Sequence, residues 1–536
     1  MASKWKAGIL TGALLLTSMP NAVAGPKPGR NWDDDGERQN IRHVLLLSAD
    51  GMHALDLTNY VASHPNSTLA LLSEHGITYT NNSTSSPSDS FPGLASLVTG
   101  GSPVTTGLWY DDTYNRKLSP PKQTDGLGNP GGTCPGTVGT NVAWDEAVDL
   151  DLTQLNGGGG INPNYLVRDP NNNCATIMPH QYLRVNTIFE VVKANGGYTA
   201  WTDKHPSYEW TNGPSGHGVD DFYGPEINSI PVALPQFPGC SPVPFADPTP
   251  DDGWTTDLHN IQCYDDLHVQ AVLNQIDGFT HDRSHRAPVP AVFGTNFQSV
   301  SVGEKLAGDG YADVLGTPSA GLKSEFDYID QSLGKFVSEL KKQGLYNSTL
   351  IIVAAKHGQS PIDVQKRRGI GGGQPATTIG SADAFDISDD GSLIWLTNPS
   401  LTQSVVNTLS TPANQDALGI QEIFALNSLS EKFDVPGSAA ADDGRTPDII
   451  LKVNTGVIFT GGSKIAEHGG FNEDDVHTAL LVSSPRLEQK TVKSAVSNQQ
   501  VAPTILKVLG IDPSELQAVQ KEQIHVLPFL FDNDGK

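Results

Sequence analysis

Apolar residues gather in short, unbroken runs spaced by polar, Gly- and Pro-containing segments. His43-Val44-Leu45-Leu46-Leu47-Ser48 is one such run, and it ends on Ala49-Asp50-Gly51. A run apolar on both faces predicts a buried parallel strand, here carrying a carboxylate at its C-terminal end. Ligands of open α/β sheets collect at that edge. Ile329, Leu333, Phe336, Val337 and Leu340 recur at helical spacing, Gly344 follows as a stop, and Leu350 to Ala355 supply the next strand. A strand from Val289 to about Phe297, further strands over 448–453 and 478–482, and a short helix closing on Gly510 extend the same α/β pattern. No internal repeat is visible.

Between Tyr110 and Pro288 the texture changes to Gly, Pro, Asn and Asp, with the run Gly157-Gly158-Gly159-Gly160 and all four cysteines, Cys134, Cys174, Cys240 and Cys263. This predicts a cap or insertion over 110–288 made of loops rather than extended regular elements. Lys4 and Lys6, the apolar run Ala7 to Leu16 and the small residues Ala22-Val23-Ala24 read as a secretory signal peptide over 1–24. A polar leader over 25–40 and one α/β domain over 41–536, holding the cap within it, complete the expected organisation. The expected location is therefore secreted, or periplasmic in a bacterial host. There an even number of cysteines reads as two disulfides, with three pairings open and no CxxC spacing to favour zinc. Asn66-Ser67-Thr68, Asn81-Asn82-Ser83-Thr84 and Asn347-Ser348-Thr349 are glycosylation acceptor patterns. No later segment reads as a membrane span. The net charge of −25 argues against nucleic-acid duplexes and anionic membranes as partners. A small anionic substrate must find a locally positive site against that field.

Several residues carry candidate chemistry. Asp50 lies at a strand end. Asp89-Ser90-Phe91-Pro92-Gly93 has the composition of a helix opening, where unpaired N–H groups and the helix dipole favour an anion or a developing alkoxide. Ser90 is thus a candidate nucleophile, although a Ser or Asp there also serves as a plain helix cap. His357 and His468, each followed by Gly at a strand-to-loop junction, are the metal candidates, and His205 is a weaker one. Lys356 immediately precedes His357. The aromatics Trp201, Tyr208, Trp210 and Tyr223 are placed either to stack on a leaving group or to fill the core of the cap.

Ser48-Ala49-Asp50-Gly51-Met52, Ser90-Phe91-Pro92-Gly93 with Val98-Thr99-Gly100, Gly344-Leu345 before the strand to Lys356-His357-Gly358, Glu467-His468-Gly469-Gly470-Phe471 and Ala502-Pro503-Thr504-Ile505-Leu506 stand in this order along the chain. Together they resemble the alkaline phosphatase superfamily, most closely its type I phosphodiesterase/nucleotide pyrophosphatase branch. The resemblance implies a doubly wound, mostly parallel α/β core and hydrolysis of phosphoesters with two zinc ions and a Thr or Ser nucleophile. Carried over by residue, it implies Asp50, His357 and His468 as metal ligands, but Lys356 stands where a carboxylate ligand belongs. The segment from Phe297 to Val302 replaces the family's P-D-x-x-G-H pattern, and Asp111 replaces its oxyanion-binding Asn. The expected cofactor is therefore one divalent ion at most, zinc first, or none, with Lys356 sharing the electrostatic role and Ser90 attacking. Asp111, Gln298 and Asn296 are the expected substrate contacts. The expected activity is hydrolysis of a phosphate mono- or diester. The alternatives are a catalytically degenerate binding protein and a phosphonate or sulfate esterase. Ser90-Phe91-Pro92-Gly93-Leu94 lacks the Arg of the sulfatase pattern C/S-x-P-x-R.

Overall fold

A computed structural model describes residues 41–124, 130–241, 253–435 and 443–530. The expected signal peptide and polar leader lie outside these residues. Along the chain, β1 (His43–Ala49), β2 (Gly76–Tyr79), β3 (Ala200–Thr202), β4 (Asp221–Tyr223), β5 (Val292–Phe297) and β6 (Thr349–Ala354) build the central sheet. A separate sheet follows from β7 (Asp383–Ser388), β8 (Gly391–Leu396), β9 (Ile420–Ala425) and β10 (Ile449–Val453). The chain then returns to the central sheet with β11 (Leu480–Ser483) and β12 (Lys490–Val492), giving the order β12-β2-β11-β6-β1-β5-β3-β4. Only β11 runs against the others, so the sheet is mixed and mostly parallel, as expected.

The unbroken apolar run of β1 has a physical reason. Val44 and Leu46 enter one core, whereas Leu45, Leu47 and Ala49 enter a second on the opposite face. Helices α1 (Ser90–Thr99) and α5 (Val501–Val508) pack into the first core, and α2 (Leu258–Ile276), α3 (Ser299–Lys305) and α4 (Ala320–Lys342) into the second or beside it. With helices on both faces, neither side of the central strands meets water. Helix α4 contains the anticipated stripe of Ile329, Leu333, Phe336 and Leu340, and Gly344 beyond it takes a left-handed φ of 71°.

One expectation needs correction. The stretch 110–288 is not composed of loops alone, since it contributes β3 and β4 to the central sheet and the 19-residue helix α2, which packs against α4. The expected strand over 448–453 is present as β10, and it belongs to the second, wholly antiparallel sheet of order β7-β8-β10-β9. The cysteines pair as Cys134–Cys174 and Cys240–Cys263, the latter tying a loop to α2. Of the glycosylation patterns, Asn66 and Asn347 are exposed, whereas Asn82 is buried with its amide donating to Thr478 and Asn498. Among the described residues no helix is long and apolar enough to cross a membrane.

Candidate active site

Strands β6, β1, β5 and β3 lie side by side and run the same way. Their C-terminal ends therefore bring Lys356 and His357, Asp50, Gln298, and Asp203 with Lys204 to one edge. Ser48 pairs with Asn296 on one side and Ala354 on the other, and its Oγ accepts from the Lys356 backbone N–H at 3.0 Å. Asp50 Oδ2 accepts from Asn296 Nδ2 at 3.0 Å and from Gln298 Nε2 at 2.6 Å. It also lies 3.5 Å from His357 Nε2 and 3.7 Å from Lys204 Nζ. Burial acts to raise the Asp50 carboxyl, but the charges of Lys356, His357 and Lys204 outweigh it and hold the group well below the usual carboxylate range.

Ser90 opens α1, with Asp89 as its N-cap accepting from the Phe91 N–H at 3.0 Å. Gly93 lets this helix approach β6, because a Cβ there would run into the Lys356 carbonyl. The group on the Ser90 hydroxyl is Lys204, whose Nζ donates to Oγ at 2.9 Å and to Gln298 Oε1 at 3.5 Å. Lys356, expected to share the electrostatic role, does not make this contact. Lys356 Nζ instead bonds Asp203 Oδ1 at 2.7 Å, fully buried, and sits 4.2 Å above the Tyr208 ring. Burial dominates in both partners, lowering Lys356 and raising Asp203 despite their attraction. Lys204 was missed in the sequence because the segment Thr202-Asp203-Lys204-His205-Pro206 drew attention only to His205, and the strand before it has three residues. A cation at a strand end in so acidic a chain was the available signal.

His357 Nδ1 donates to the Gly358 carbonyl at 3.0 Å, which leaves the ring's lone pair on Nε2. Its ring centroid lies 4.1 Å from that of His468, and His468 Nδ1 is 3.6 Å from Asp89 Oδ2. Burial lowers both imidazoles, while burial and the nearby Asp111 push Asp89 well above its usual range. Asp111 is half-buried and its Oδ1 accepts from the Asp112 N–H at 2.9 Å. Asn296 and Gln298 turn their amide donors onto Asp50 rather than presenting them to a ligand. Trp201, Tyr208 and Trp210 are fully buried core residues, and Tyr223 stacks on His281 at 4.7 Å.

The family model "Type I phosphodiesterase / nucleotide pyrophosphatase" matches residues 44–204 and 252–477. The chain belongs to this family. The type I phosphodiesterase/nucleotide pyrophosphatase fold is likewise seen in murine ectonucleotide pyrophosphatase/phosphodiesterase 5, at 13% identity over 88% of this chain and 96% of that one, with a TM-score of 0.54. The human form of that protein matches at 15% identity over 88% and 95%, with a TM-score of 0.51. The alkaline phosphatase PafA matches at 14% identity over 88% and 96%, with a TM-score of 0.57. At these identities the likeness is one of fold. No curated protein sequence matches the chain.

The residues at the strand ends do not fit the zinc pair of this family. Ligand atoms around one zinc lie about 2.0–2.3 Å from the ion and hence close together. Among the described residues, the His/Asp/Glu groups with that convergence are His53–Asp56–Glu304 and Glu146–His205–Glu226, either of which could hold a divalent cation. Asp50, His357 and His468 do not form such a group, and the Lys204 ammonium stands between Asp50 and Ser90.

Proposed function

We propose that the chain hydrolyses phosphate esters with Ser90 as nucleophile and Lys204 as the cation that metal would otherwise supply. Family membership makes phosphate-ester hydrolysis the expected class of activity. The observation that carries the specific reading is the 2.9 Å contact of Lys204 Nζ with Ser90 Oγ at the N-terminus of α1, backed by Asp50 and Gln298. Ser90 Oγ attacks phosphorus, the ester oxygen departs, and water later breaks the seryl–phosphate bond. The Ser90 proton leaves with the departing ester oxygen, and the Lys204 ammonium is placed to offset charge gathering on the transferring group. Asp50, held ionised, fixes Gln298 and Lys204, and Lys356 keeps Asp203 from competing for Lys204. The two disulfides favour an oxidising compartment, in keeping with a secreted or periplasmic protein.

The test is steady-state hydrolysis of nitrophenyl phosphate, bis-nitrophenyl phosphate, a nitrophenyl phosphonate and nitrophenyl sulfate, wild type beside Ser90→Ala. Turnover of at least one phosphate ester, abolished in Ser90→Ala with the far-UV spectrum unchanged, is the expected result. Turnover that survives the substitution removes Ser90 from the reaction. A non-catalytic binding protein is the second reading, favoured by the Lys356–Asp203 pair in place of a metal ligand. It predicts affinity for phosphate esters with no turnover of any of the four.

A further inference from the structure

Two clusters of ligating side chains lie away from Ser90, and they differ in one respect. In the first, the Tyr311 hydroxyl fills the centre, 2.6 Å from Glu304 Oε1 and 2.9 Å from both oxygens of Asp56, with His53 Nδ1 at 2.8 Å. That cluster is closed by its own hydrogen bonds. In the second, His205 Nδ1 lies 2.8 Å and 3.0 Å from the two oxygens of Glu226, and Asn228 holds both Glu226 and Glu146 through its N–H and amide. Against Glu226 stands Asp149, 3% exposed, whose carboxyl meets that of Glu226, and among the described residues no N–H or hydroxyl donates to either of its oxygens. A carboxylate this deep, facing another carboxylate and lacking any donor, needs a proton or a cation between the two.

The backbone around Asp149 is shaped to the same end. The Gly157–Gly160 run curls over it, with Asp151 N–H donating to the Gly157 carbonyl and Leu150 N–H to that of Gly160. Gly157 has a φ of 60°, and a Cβ there would lie 2.9 Å from Asp149 Oδ2. Glycine therefore serves both the turn and the room beside the carboxylate.

We infer that Glu146, Asp149, His205 and Glu226 form a divalent-cation site, distinct from the strand-end residues, that positions the neighbouring Lys204. Three carboxylates and one imidazole are a hard, oxygen-rich donor set, which suits an ion of the manganese class. The link to Ser90 is short. His205 follows Lys204, whose carbonyl accepts from the Ile227 N–H at 3.0 Å and the Tyr264 hydroxyl at 3.1 Å. An ion bound to His205 and Glu226 would clamp this segment from both sides. The binding site stands independently of the esterase reading, whereas its effect on Lys204 rests on it.

The test is titration of Mn2+ into the chelator-treated full chain, followed by the electron paramagnetic resonance signal of free Mn2+, with the melting temperature as a second readout. One equivalent is expected to bind wild type and Ser90→Ala alike and to raise the melting temperature. Asp149→Asn and Glu226→Gln are expected to weaken binding at least tenfold and to abolish that rise. Because no N–H or hydroxyl of another described residue donates to the Asp149 carboxylate, and an Asn amide can still donate to Glu226, Asp149→Asn should melt no lower than the metal-free wild type, which keeps it a fair variant. Absence of Mn2+, Zn2+ or Ca2+ binding to wild type, or binding unchanged in both variants, would overturn the site. Binding as expected with a kcat that is indifferent to Mn2+ would overturn the positioning of Lys204. Binding as expected in a protein that turns over no ester would leave the site standing and remove the esterase reading instead.

Discussion

The Lys204 ammonium lies 2.9 Å from the Ser90 hydroxyl, and if the proposed reaction holds its contribution should be measurable. Replacing Lys204 with Gln removes one preorganised contact to the transition state, so kcat should fall by about 10²–10³-fold, with Lys204→Arg recovering part of it. A fall under tenfold on the best phosphate ester would take Lys204 out of the reaction. Lys356 makes a different prediction, because it is paired in the interior rather than poised at the nucleophile. Removing one member of a buried ion pair strands the other charge and costs about 3–5 kcal/mol. Asp203→Leu and Lys356→Met should each show that loss in urea unfolding, whereas the double substitution should cost far less than their sum. Additive losses would mean that the pair is not energetically coupled.

Helix contacts carry their own tests. Glu325 of α4 faces α2, accepting from Gln262 Nε2 at 2.8 Å, while its other oxygen is buried with no partner among the described residues. Burial raises this carboxyl to about 8 against the opposing hydrogen bonds from Gln262 and Ser324. Its folded value lies above its unfolded one, so the folded state holds the proton longer and stability should decline as pH rises from about 4.5 to about 8, then level. Glu325→Gln should flatten that limb; a decline unchanged in the variant would place its origin elsewhere. Gly93→Ala should push α1 off the Lys356 carbonyl and lower stability by about 1–3 kcal/mol, read from the urea midpoint. The elements easiest to read in the sequence were those with long uniform signals: β1 from a run whose apolar residues, Val44 to Leu47 and Ala49, fall on both faces, α4 from its 3.6-residue stripe. Strands β3 and β4 have three residues each, too few to show a period. The sheet of β7 to β10 went unread because antiparallel pairing between distant segments leaves no local mark. For the same reason Asp50, Ser90, His357 and His468 were recognisable from local motifs, while the partners Asp203, Lys204 and Asp149 were not. A lysine's choice between Ser90 and Asp203 is made by the sheet order.

Across the whole molecule, a net charge of −25 surrounds a small cluster of cations. The long-range field repels an anionic ester until it reaches Lys204. Screening it should help, so kcat/KM for a dianionic substrate should rise as salt increases toward about 0.15 M, where the Debye length is about 8 Å. A fall would mean that the local positive charge already governs the approach. The strand order has one more effect, on how the chain comes together as it is made. Asp50 and Asp203 emerge long before Lys356, which lies 153 residues beyond Asp203, and the sheet is not complete until β11 and β12 are added near residue 490. Until then Asp203 lacks the buried ammonium it pairs with and must stay wet. The polar edge thus withholds a settled core from the growing chain, and a fragment ending before Lys356 should remain open to proteases that the finished protein resists.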